Sequence, residues 1–85
     1  MFASVAQAQV TIDMTRVTCE QYLGLPVEQA RVFNAWMSGW FNQKNGSVSV
    51  DMNVFGRNVE NVRTWCASNP KDSVMAGLTR ATQRQ

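Results

Sequence analysis

Histidine is absent from this chain of 85 residues, which removes the commonest general base and the commonest metal ligand at one stroke. The two cysteines, Cys19 and Cys66, do not form a C-x-x-C pair, so neither the usual zinc site nor a thioredoxin-like motif can be assembled. No glycine-rich phosphate loop is present. Charged residues make up only 16% of the chain, sparse for a small domain, and they leave much of the surface uncharged. The eight basic residues (Arg16, Arg31, Lys44, Arg57, Arg63, Lys71, Arg80 and Arg84) are scattered, whereas nucleic-acid binding needs them clustered on one face. No apolar run approaches the roughly 18–20 residues required to cross a bilayer.

What is present is a 45% apolar chain with a net charge of +2, a composition that folds. At this length one domain is the limit, and its core rarely supplies more than about 3–5 kcal/mol, so a covalent or quaternary staple is expected. Cys19 and Cys66 offer one. They are read either as a disulfide formed in an oxidising compartment or as two buried thiols. A bridge between them would close a loop worth roughly 4 kcal/mol in the chain-entropy picture. The segment Ala3-Ser4-Val5-Ala6-Gln7-Ala8 reads as the tail of an export signal with Ala6-Gln7-Ala8 as its small-residue cleavage site. The expected organisation is therefore a signal remnant over 1–8, an extended arm over 9–17, a helical domain over 18–81 and a flexible tail over 82–85.

Local signals place the helices. Thr18 and Gln21 have the spacing of a capping box, predicting a short helix from Cys19 through Leu23 that ends near Gly24. Pro26 suits the first position of a second helix, Glu28 suits its positive end, and Asn45-Gly46 stops it. Within that helix Val32, Trp36 and Trp40 form one column of spacing four, and Phe33, Met37 and Phe41 form the adjacent column, giving one broad apolar face. A polar–apolar alternation from Ser47 to Asp51 reads as an extended link. A third helix is expected over about 53–67, with Phe55, Val59, Val62 and Cys66 inward and Trp65 at the border. Asn69-Pro70-Lys71-Asp72 reads as a further helix start, continued by Val74, Met75, Leu78 and Ala81.

The fold class that follows is all-α: a small single-domain orthogonal bundle of four to five short helices tied by one disulfide. Catalysis finds no support. The carboxylates Asp13, Glu20, Glu28, Asp51, Glu60 and Asp72 each have an ordinary structural use, three at helix starts and Glu60 one turn from Arg57 and Arg63. No metal or cofactor is implied. Five large apolar groups on the second helix exceed what a thin layer of short helices can cover, so a second copy is expected to cover the rest. That helix lacks the basic polar face of a membrane-surface anchor, and no membrane insertion is expected.

Thr18-Cys19-Glu20-Gln21-Tyr22, Trp36-Met37-Ser38-Gly39-Trp40-Phe41-Asn42, and Cys66 followed by Asn69-Pro70 together resemble the HdeA/HdeB family of periplasmic acid-stress chaperones. The resemblance covers roughly residues 9–80, and the C-x-x-N-P after the second cysteine looks closer to the HdeB-like branch. It implies a Cys19–Cys66 disulfide and a periplasmic homodimer near neutral pH. It further implies that the dimer loosens in acid and holds denatured periplasmic proteins in solution without ATP. Carried onto this sequence, the client-binding and dimer surface would involve Phe33, Trp36, Met37, Trp40 and Phe41, with Val48, Val50, Met52 and Phe55 as a second stretch.

Without histidine, only carboxylates titrate as pH falls below neutrality, so any acid response is expected at about pH 5 or lower. Glu20, Glu28, Asp51, Glu60 and Asp72 are the candidate pH-sensing groups. Protonating all six carboxylates adds six charges to the net +2, giving +8 per chain and repulsion within a dimer. The alternative is a constitutive periplasmic binding or inhibitory module on the same scaffold.

Overall fold

A computed structural model describes residues 11–82, with a short 3-10 turn at Met14–Arg16 and four α-helices: α1 (Cys19–Leu23), α2 (Val27–Lys44), α3 (Met52–Ser68) and α4 (Val74–Ala81). The expected signal remnant over 1–8, the first two residues of the arm and the tail beyond Thr82 lie outside the described residues.

The five-residue α1 is far below the length at which an isolated helix holds together in water. Its first turn is therefore satisfied from outside. Thr18 and Gln21 form the capping box: Gln21 N–H donates to Thr18 Oγ1 at 3.1 Å and Thr18 N–H donates to Gln21 Oε1 at 2.9 Å. The next orphan donors find the 70–72 loop, with Cys19 N–H donating to the Asp72 carbonyl at 2.7 Å and Glu20 N–H to that of Pro70 at 2.9 Å.

This use of the loop corrects the expected helix start at Asn69-Pro70. Asn69 instead closes the end of α3, its Nδ2 donating to the Trp65 carbonyl at 2.9 Å. Pro70 and Asp72 turn their carbonyls to α1, and α4 begins only at Val74, capped by the Ser73 side chain, which accepts from Ala76 N–H at 3.0 Å. A tertiary demand for acceptors at α1 overrides a locally good start signal. The arm differs too. Asp13 caps the turn at Met14–Arg16, and the Val17 carbonyl accepts from Val74 N–H at 2.8 Å, so the chain before α1 is stitched to the start of α4. Thr82, expected to lead a mobile tail, is buried, and its hydroxyl donates to the Leu78 carbonyl at 2.6 Å.

Pro26 stands one residue before α2, in extended backbone, rather than inside its first turn. The helix ends as expected at Asn45-Gly46. Gly46 takes φ +71°, its N–H donates to the Gln43 carbonyl at 3.0 Å, and Ser47 N–H donates to that of Asn42 at 2.8 Å; this is the Schellman arrangement, which favours glycine at that position. Asp51 caps α3, its Oδ1 accepting from Asn53 N–H at 2.9 Å and Val54 N–H at 3.2 Å.

The core gathers Cys19 and Tyr22 of α1, Met37 of α2, Val62 and Cys66 of α3, and Val74 and Leu78 of α4. Cys19 and Cys66 are joined by a disulfide, with their Cα atoms 4.9 Å apart and both residues fully buried. The helices α1, α3 and α4 pack closely on one another, whereas α2 touches them far more sparsely. Met37 is its one buried residue. The molecule is accordingly long and thin, 51 × 30 × 20 Å.

Candidate functional site

The two apolar columns of α2 part company in the fold. Phe33, Met37 and Phe41 turn inward; Met37 is buried, and the two phenylalanines pack half-buried against the core. Val32, Trp36 and Trp40 lie on the exposed side, with 66%, 46% and 36% of their surface open. The expected single broad face is thus two faces, about 100° apart on the helix. Lys44 Nζ lies 5.0 Å from the centre of the Trp40 ring, close enough for the cation to be attracted to the π face. Trp36 and Val32 have no such cover.

The second expected stretch is mostly open. Val48 is 98% exposed, Val50 and Met52 are exposed, and Phe55 is half-buried. Val50 and Phe55 line a cleft between α2 and α3 whose other walls include Met37, Phe41, Val54, Val59 and Val62, with Leu78 of α4 reaching it as well. Asn34, Ser38 and Asn42, one polar stripe along α2, border the same cleft. Its volume is about 70 Å³.

The HdeA/HdeB family model matches residues 1–76, which takes in both cysteines, all of α2 and α3, and the start of α4. The chain belongs to the HdeA/HdeB family. The family is one of periplasmic acid-stress chaperones, not of enzymes. Searches of curated proteins and of solved structures return no match. The family match spans both named branches, so closeness to the HdeB-like one is not drawn from it. No helix among the described residues is long and apolar enough to cross a membrane.

In this HdeA/HdeB-family fold the proposed pH-sensing carboxylates are dispersed. Glu20 is exposed in the first turn of α1. Glu28, in the first turn of α2, lies 3.6 Å from Arg31 with both side chains largely in solvent, a pair of little energetic weight. Asp51 is engaged with two backbone N–H groups. Glu60 is exposed on α3 and makes no ion pair among the described residues; Arg63, one turn on, instead places its guanidinium 5.6 Å from the Tyr22 ring centre. Asp72 is exposed in the turn before α4 and acts through its backbone carbonyl.

Two titratable groups were not foreseen. Asp13 accepts from both the hydroxyl and the N–H of Thr15, at 2.6 and 3.0 Å, and these hydrogen bonds hold its carboxyl below the ordinary value. Tyr22 is fully buried, and desolvation raises its phenol above the ordinary value against the opposing pull of Arg63 and of the hydrogen bond to Asn34. The capping spacing Asp13-x-Thr15 was visible in the sequence as an Asx-type turn. Nothing local to Tyr22 announced its burial.

Proposed function

We propose that this chain is an acid-activated, ATP-independent holdase of the periplasm. It pairs with a second copy near neutral pH and exposes apolar surface to denatured proteins as pH falls. The observation that supports this reading is the column Val32, Trp36 and Trp40, left open beside a helix that the disulfide-bonded core holds only loosely. Contiguous exposed aromatic groups on a small soluble chain mark an interaction surface. A second copy would cover that column at neutrality.

Acid acts through charge. Each protonated carboxylate removes a negative charge from an already positive chain, and the gain of up to six charges per copy repels the two copies. Because α2 is the helix with the fewest packing ties, it yields first, while α1, α3 and α4 stay joined through Cys19–Cys66. Loosening of this kind bares Phe33, Met37 and Phe41 in addition to the outer column.

The test compares suppression of client aggregation at pH 7 and pH 4, alongside sedimentation and hydrophobic-dye binding. The expected result is a dimer at pH 7, and at pH 4 dissociation, new dye binding and suppression of aggregation. Trp36→Ser with Trp40→Ser should weaken suppression while leaving the helical content intact. Equal suppression at both pH values would instead favour a constitutive binding module, a reading that draws on Trp36 being open in the single chain.

A further inference from the structure

Asn58 stands halfway along α3 on the wall of the α2–α3 cleft, and its Oδ1 is buried with no hydrogen-bond donor in reach. Folding has removed water from this acceptor and supplied nothing in its place, which native proteins rarely tolerate without a use. The polar groups across the cleft do not serve it. Asn34 Oδ1 is itself an acceptor, taken by the Tyr22 hydroxyl, and Asn42 Nδ2 donates to Ser38 Oγ at 3.4 Å. The rest of the lining is largely apolar, with Met37, Phe41, Phe55, Val59 and Val62 forming the walls.

Charge narrows what could enter. Asp51 is the one charged residue lining the cleft; no lysine or arginine does. An anion would meet a carboxylate and no cation, and a strongly hydrated cation would lose its water to apolar walls. A neutral group that donates one hydrogen bond loses least and gains the buried acceptor. The volume of about 70 Å³ holds several water-sized groups, the scale of one small ring.

We propose that the α2–α3 cleft binds a small neutral aromatic molecule bearing a single hydrogen-bond donor, of the phenol or indole class, with that donor on Asn58 Oδ1. The ring occupies the apolar walls and joins α2 to α3, where direct packing is sparse. This binding does not depend on the holdase reading: a chain inactive as a chaperone would still take up the ligand.

The experiment titrates the full-length, disulfide-bonded protein at pH 7 with phenol, toluene and benzoate, following the Met37 methyl and the Asn58 side-chain amide by NMR. Phenol should give saturable shifts at both positions. Toluene, with the ring but no donor, should bind about fivefold or more weakly, and benzoate should not bind at the cleft. Asn58→Leu should abolish the preference for phenol over toluene. Equal affinity for phenol and toluene, or no saturable shift at the cleft, overturns the proposal. So does a cleft closed by a second copy, seen as shifts at Met37 and Asn58 that grow with protein concentration and exclude phenol.

Discussion

The hydroxyl of Tyr22 donates a hydrogen bond to Oδ1 of Asn34, and so ties α1 directly to α2. Tyr22 is wholly buried at the disulfide, two turns of chain having no part in the contact; its ring has the Arg63 guanidinium 5.6 Å from its centre. Together with the burial of Met37, this bond is what seats the aromatic helix on an otherwise self-contained core of α1, α3 and α4. The strength of that seating sets how readily α2 can lift.

Removing the hydroxyl should loosen α2 in particular. Tyr22→Phe is expected to lower stability by about 1 kcal/mol, the usual net worth of one such bond, measured by denaturant unfolding. Amide exchange should quicken in α2 more than in α3 or α4. Uniform quickening across all four helices would mean that the bond does not act as a local tether.

The pH limbs of stability have opposite signs. The Tyr22 pKa is raised above 10.0 by burial, so its contribution is fully present below that value and is lost as pH rises through the folded pKa. Tyr22→Phe should flatten this alkaline limb. The Asp13 pKa is lowered below 3.8 by its bonds to Thr15, so its contribution is present above that value and is lost as pH falls through the folded pKa. Asp13→Asn should flatten only the most acidic limb, leaving stability from pH 7 to about pH 5 unchanged. Thermal melts across the pH range read both.

Two glycines should respond oppositely to alanine. A Cβ at Gly77 would lie 3.0 Å from Trp65 Cε3 and 3.3 Å from Cys66 Sγ, and the sulfur is pinned in the disulfide. Overpacking typically costs about 1–3 kcal/mol, enough to outweigh a helix-propensity gain of about 1 kcal/mol. Gly77→Ala should therefore lower the melting temperature. At Gly56 an added Cβ meets nothing within 4 Å, and Gly56→Ala should raise it, by up to about 1 kcal/mol in stability. If both variants shift the same way, α4 does not approach α3 as closely as described.

Loss of the Cys19–Cys66 bridge should be the most damaging single change. With 47 residues between the partners, the chain-entropy estimate is roughly 4 kcal/mol, comparable to the whole stability of a domain this small. Circular dichroism with and without reductant should show α1 lost and the remaining helices melting at lower temperature. Both sulfurs are buried, so reduction should accelerate sharply when denaturant opens the fold.

Where structure depends on neighbours along the chain, it could be read in advance. The Thr18–Gln21 capping box and the Asn45-Gly46 stop are made by residues three or fewer apart, and both stand as expected. The helical content and the presence of a bridging cysteine pair follow from equally short-range patterns and from composition. Asn69-Pro70 misled for the same reason: the local pattern favours a helix start, but the carbonyls of Pro70 and Asp72 are claimed by the N–H groups of Cys19 and Glu20, fifty residues away.

The sequence by itself determined which segments become helices, that the chain carries two columns of large apolar groups on the second of them, and that only carboxylates can sense falling pH. The tertiary structure alone decided that Phe33, Met37 and Phe41 face inward while Val32, Trp36 and Trp40 face out. It also left Asn58 Oδ1 without a donor. The physical reason is that periodicity specifies a face but not its partner: columns of equal spacing and similar hydrophobicity are distinguished only when α1, α3 and α4, held by the disulfide, present one surface for α2 to meet.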